Sequence, residues 1–177
     1  HAGESMHVLT ADRPVRMVED FEGLRLKATG EQVTALNALG AAAVAMPMGE
    51  VYTSLQKGIL DGTIAPYETL IGFKFAEVIK YYSTFPSPRS AYGSRAMDQD
   101  SWDALPEDIQ QIITENSLYW SEQVHRFAIE QDEKGLEYGK EQGVEFIEPS
   151  EEELERYLEV QRDIWTDQAK KLDEMGL

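Results

Sequence analysis

Short apolar runs, each closed by Gly, Pro or Asp, fill the first half of the chain, and apolar residues at helical spacing fill the second. His7-Val8-Leu9-Thr10 and Leu24-Arg25-Leu26-Lys27-Ala28 read as short strands. Thr29-Gly30 turns the chain into a helix from Glu31 to Leu39, and Gly40 suits the left-handed position that ends it. Ala42-Ala43-Val44-Ala45-Met46 is apolar throughout, as a buried strand is, and Pro47 stops it. A second helix runs from Glu50 to Lys57 and ends at Gly58. Asp61-Gly62 makes a turn, Thr63-Ile64-Ala65 a short strand, and Pro66 opens a further helical segment. Tyr81 to Phe85 and Ala91 to Met97 read as two more strands. Strands alternating with helices in this way predict an α/β lobe around a mostly parallel sheet.

Beyond Pro106 the period changes. Ile109, Ile112, Ile113, Tyr119, Trp120, Val124 and Phe127 recur at helical spacing, predicting a helix that runs to Gln142. At 1.5 Å per residue it measures about 54 Å, longer than a small lobe is wide. Gly135 and Gly139 are the places where it would break or bend. A strand over Val144 to Ile147 follows, then Ser150-Glu151-Glu152-Glu153, a capping box opening the last helix. Leu154, Tyr157, Leu158, Ile164, Trp165 and Leu172 line one face of that helix.

Charge divides at the same place. The chain of 177 residues carries a formal net charge of −17, of which residues 1–98 hold −2 and residues 99–177 hold −15. Such a surface repels phosphate backbones and anionic lipid, which makes nucleic acid and membrane-surface partners poor fits. No apolar run approaches the roughly 20 residues of a membrane span. With no Cys, thiol catalysis, disulfides and Cys-based zinc sites are excluded. His1 to Ser5 has neither the basic start nor the apolar stretch of a secretion signal, so the protein is cytosolic or its signal lies outside this chain.

Catalytic motifs are weak. Leu60-Asp61-Gly62-Thr63 is similar to the loop of haloacid-dehalogenase-type phosphatases, but Ile59 stands where the nucleophilic Asp is needed, and a tight turn is the better reading. Asp98-Gln99-Asp100 opens like a calcium loop, yet Trp102 and Asp103 occupy positions that call for an oxygen ligand and a Gly. His1, His7 and His125 lack metal-ligand spacing. The residues thus indicate neither an enzyme nor a cofactor. An acidic helical module that pairs with another protein through residues 150–172 is one reading.

A second reading rests on an ordered series of motifs: Ala38-Leu39-Gly40, Val44 to Tyr52, Leu55-Gln56-Lys57-Gly58, Asp61-Gly62, Pro66 and Phe73 to Tyr81. Upstream stand Pro14-Val15 and Glu19 to Leu26, and downstream Trp102-Asp103-Ala104-Leu105-Pro106. In that order the chain resembles the solute-binding subunit, dicarboxylate-binding type, of tripartite ATP-independent periplasmic (TRAP) transporters. The resemblance implies a periplasmic-binding-protein-like α/β fold of two lobes with a long hinge helix, closing over an organic acid. It also implies a C-terminal fragment in which only the second lobe is complete. Residues 5–89 and 131–177 would form that lobe, and 90–130 would cross to a first lobe whose absence exposes surface prone to self-association. The implied activity is binding and delivery of a small organic acid or similar anion to membrane subunits, in the periplasm, without catalysis or a cofactor.

The same resemblance places ligand contacts. Lys27 stands where the family's Gly-Leu-Lys-Ile-Arg pattern ends in a carboxylate-clamping Arg, and it keeps the charge but not the planar fork. Ala65 replaces the amide of a Glu-Asn-Pro pattern, and the nearby Tyr67 offers a hydroxyl in its stead. Met48 occupies an aromatic position, and His7 a position that some members fill with another Arg. Tyr92, with Arg89, borders the strand returning to the first lobe. Lys27 also reads as a surface strand-end Lys, and Met48 and Tyr92 as core.

Overall fold

A computed structural model describes residues 6–87 and 96–174. Six strands form one sheet: β1 (Met6–Thr10), β2 (Arg25–Lys27), β3 (Ala42–Val44), β4 (Gly62–Ala65), β5 (Tyr81–Ser87) and β6 (Glu145–Ile147). Their order is β3-β2-β4-β1-β5-β6. The helices are α1 (Glu31–Ala38), α2 (Met48–Gln56), α3 (Thr69–Gly72), α4 (Gln99–Asp103), α5 (Glu107–Glu141) and α6 (Glu151–Glu174).

The sheet is mixed. β2 pairs parallel with β3 and β4, and β5 pairs parallel with β6. Near the middle, β1 runs antiparallel to both of its neighbours, β4 and β5. Side chains alternate between the two faces, as a period of two requires. One face presents Val8, Leu26, Ile64 and Phe85 to α1 and to Tyr157 of α6. The other presents Leu9, Ala65 and Tyr82 to Val51 and Leu55 of α2, Leu70 of α3, and Phe75. Helices thus cover both faces. β3 departs from the expectation of a buried strand. It ends at Val44 and pairs with β2 alone, and this edge position leaves Ala42 exposed.

The 35-residue α5 is continuous, and neither of its glycines breaks it. Both serve close approach instead. A Cβ at Gly135 would overlap the Tyr67 carbonyl, and one at Gly139 would lie 2.7 Å from Leu70 Cδ1 and 2.9 Å from Phe146 Cζ. Lacking side chains there, α5 lies directly on the segment that follows β4. Farther toward its start, Ile109, Ile112, Ile113, Tyr119, Val124 and Phe127 remain exposed.

The capping box is half made. Glu153 N–H donates to Ser150 Oγ at 3.3 Å, but the Glu153 carboxylate accepts instead from Val18 N–H at 2.8 Å. A long-range tie to the opening segment wins over the local reciprocal bond. Asp61 is likewise structural: it takes a two-bond fork from Arg25, at 2.9 and 2.7 Å, and the Arg25 N–H at 2.8 Å. Asp98 caps α4 by accepting from Ser101 N–H at 3.2 Å. The strand expected over Ala91 to Met97 falls on residues 91–95, outside the described residues, and on Ala96 and Met97, which are irregular. No helix among the described residues is long and apolar enough to cross a membrane.

Candidate functional site

The register brings the carboxyl ends of β2 to β6 to one end of the sheet. There they meet the amino end of the reversed β1, because His7 pairs with Ala65 and Met6 with Ser87. In open α/β sheets, ligands gather beyond strand carboxyl ends. Lys27 lies opposite both Val44 and Thr63, and His7 lies opposite Ala65. Paired positions, and positions two apart, share a face, so Val44, Lys27, Thr63, Ala65 and His7 lie on one face at this end.

Lys27 is only 8% exposed. Burial holds its pKa below the usual lysine value, and no carboxylate pairs with it among the described residues. Beside it the Thr63 hydroxyl is fully buried and has no hydrogen-bond partner among the described residues. The end of β2 and β4 therefore holds a cation and a hydroxyl, neither of which is satisfied by a described residue.

His7 is also 8% exposed. Its Nδ1–H donates to the Phe85 carbonyl at 3.4 Å, and its ring lies 5.6 Å from those of Tyr67 and Tyr82. Burial lowers the His7 pKa, so the ring is neutral at pH 7. Tyr67 stacks on Tyr82 with ring centroids 4.4 Å apart, and the Tyr82 hydroxyl donates to the Ala65 carbonyl at 3.2 Å. Burial raises the pKa of Tyr67, and the carboxylates of Asp132 and Glu148 raise it further.

His7 and Tyr67 line a cavity of 380 Å³ between the sheet and α5. Asp132 and Glu133 of α5 face it, as does Glu148 just beyond β6. Asp132 also accepts the Glu68 N–H at 3.0 Å, fastening α5 to the segment after β4. Among the described residues no group of three or more His, Asp or Glu is arranged to hold a metal.

The structure therefore gathers Lys27, Ala65, His7 and Tyr67 at one end of the sheet. Met48 opens α2 just beyond β3, half-buried, and its side chain packs against the Leu9–Val51–Tyr82 cluster. Ala65 is fully buried and brings no polar side chain. Tyr92 and Arg89 lie outside the described residues. The cavity's acids went unnoticed in the sequence. A signal existed for Asp132: it sits one turn before Gly135, on the stripe that the two glycines mark as facing the lobe.

Residues 2–172 match the family described as bacterial extracellular solute-binding protein, family 7. The chain belongs to this family. A relative in Rhodobacter capsulatus, the C4-dicarboxylate-binding periplasmic protein DctP, is 29% identical over 168 residues, covering 93% of this chain and 50% of its own. A TRAP solute-binding protein from Rhodoferax ferrireducens, solved with copurified benzoate, is 25% identical with a TM-score of 0.82, over 98% of this chain and 56% of its own. One from Anaerococcus prevotii, solved with bound D-glucuronate, is 27% identical with a TM-score of 0.80, over 95% of this chain and 55% of its own. The chain thus spans about half the length of the family 7 relatives it matches. The family is one of periplasmic solute-binding receptors and not a class of enzymes.

Proposed function

We propose that this family 7 chain is the ligand-holding lobe of a periplasmic TRAP receptor, which binds a small organic acid or similar anion and delivers it to the membrane subunits. The observation that carries this reading is the uncompensated charge of Lys27. A largely buried lysine whose charge no described carboxylate pairs is costly, and an anionic solute at the strand ends offsets that cost. The ammonium binds a carboxylate as a compact charge with three donors. Relatives named for C4-dicarboxylate, or solved with benzoate or glucuronate, support the ligand class.

Residues 5–89 and 131–177 then form the second lobe, and 90–130 crosses to a first lobe outside these residues. That lobe covers the exposed apolar row of α5 and closes the cleft by hinge motion, whereas the isolated 177 residues self-associate through the row. Met48 and Tyr92 complete the ligand wall. The test is calorimetric titration of the full-length receptor with a panel of organic acids. Lys27→Ala is expected to lower affinity by at least about thirtyfold, the low end for breaking a buried charge pair, while Lys27→Arg retains binding. Unchanged affinity in the Ala variant refutes the assignment.

A further inference from the structure

Resting on the receptor reading above, we infer that the far end of the same site selects a hydrogen-bond donor on the solute, a hydroxyl or ammonium, and rejects a second carboxylate. The solute is then a hydroxy or amino monocarboxylic acid rather than a dicarboxylate. Register and strand spacing put the Cα atoms of Lys27 and His7 about 12 Å apart on one face, within reach of one small solute. A single small solute held by the Lys27 ammonium therefore extends toward the His7 cavity.

What it meets there is a set of acceptors. The His7 ring is more than nine-tenths buried and lines the cavity, and its Nδ1–H is taken up by the Phe85 carbonyl. The neutral ring thus presents Nε2 as a bare lone pair. Asp132, Glu133 and Glu148 add carboxylate oxygens, and among the described residues no Lys or Arg shares the lining. The Tyr67 hydroxyl of the lining can turn a proton either way, whereas the Thr84 hydroxyl donates to the Ile147 carbonyl. A second carboxylate in this cavity would face lone pairs and like charges, whereas a hydroxyl or ammonium finds acceptors already in place. His7 thus reverses the preference that an Arg at its position would set.

The test titrates the full-length receptor at pH 7.5 with probes that differ only at one end: D-gluconate against D-glucarate, and 4-hydroxybutyrate and 4-aminobutyrate against succinate. Benzoate serves as an acid with no donor at its far end. In each comparison the monocarboxylate is expected to bind about tenfold or more tightly, the size of a like-charge contact in a half-wet cavity. Glu148→Gln is expected to shrink that ratio severalfold, chiefly by raising the affinity for the dicarboxylate. Equal or tighter binding of the dicarboxylate, or a ratio that Glu148→Gln leaves unchanged, overturns the inference. Binding of benzoate with none of the donor-bearing probes overturns it too, but leaves the receptor reading standing. If no acid of any kind binds, both fall together.

Discussion

Replacing Gly135 by Ala separates two effects of opposite sign. In an ordinary helix interior, Gly→Ala stabilises by about 1 kcal/mol, because Gly loses more backbone freedom on folding. Gly135 lies well inside the 35-residue α5, so propensity alone gives that gain. The added Cβ, however, would overlap the Tyr67 carbonyl oxygen, 2.5 Å from its carbon and 2.9 Å from Glu68 N. These neighbours are backbone, so relief requires the helix and the segment after β4 to separate by roughly 1 Å. The hydrogen bond from Glu68 N–H to Asp132, one turn earlier on the same helix, resists that separation. Overpacking of this kind costs about 1–3 kcal/mol, and the lost hydrogen bond about 1 more, so the net expectation is a destabilisation of about 1–3 kcal/mol. Gly49 is the control: it lies in the first turn of α2, and a Cβ there meets nothing within 4 Å. Urea unfolding of both variants decides the matter. Gly49→Ala should be neutral or stabilising and Gly135→Ala clearly destabilising, with weakened ligand binding because Tyr67 moves. A Gly135→Ala variant as stable as Gly49→Ala would refute the claim that this glycine exists for close approach.

Three further outcomes follow from the same geometry. The folded-state pKa of His7 lies below 6.5, so its contribution to stability is complete above that pH and is lost as the pH falls toward the lowered value. Urea midpoints at pH 7.5 and 5.5 should therefore differ less in His7→Gln than in the parent, and identical differences would argue against a buried neutral ring. Lys27 titrates below the ordinary 10.5, so unliganded stability should rise with pH between its lowered value and 10.5. Across that same window anion affinity should fall by up to tenfold per pH unit, and a Kd flat to pH 10.5 would count against the Lys27 contact. Phe21 is fully buried, with its ring 5.4 Å from Phe85 and 5.8 Å from Tyr157, joining the opening segment to β5 and α6. Phe21→Ala should cost about 3–5 kcal/mol by chemical denaturation, and a loss under about 1 would mean that those elements do not depend on it.

The sequence disclosed most of the elements and few of their partners. Period-two runs and glycine stops located the strands, the first two helices and the long α5 to within a few residues, since both signals are local. The reversal of β1 was not legible, because strand direction depends on which neighbours a strand finds and not on its own alternation. The glycines of α5 were visible, but a helix breaker and a close-approach residue look alike until the partner backbone is in place. The same limit governs the site. Lys27 and His7 stood out through the family resemblance, while Asp132 and Glu148 read as two acids among the 33 of the chain.

The division of labour in the site follows from the reversed strand. Were β1 parallel to its neighbours, Thr10 and not His7 would stand at the ligand end, and the far cavity would lose its buried ring. With β1 reversed, its first residues lie two strands from Lys27, with β4 between them. At about 12 Å, and with no protein partner in common among the described residues, two such positions contribute nearly independently. On the proposed reading, the cation at the end of β2 determines that an anion binds. The residues around His7 determine what else that anion carries, and they can change without loss of the anchor. A receptor of the proposed kind would alter its solute by substitutions at β1, α5 and the end of β6 while the proposed carboxylate contact at β2 stays in place.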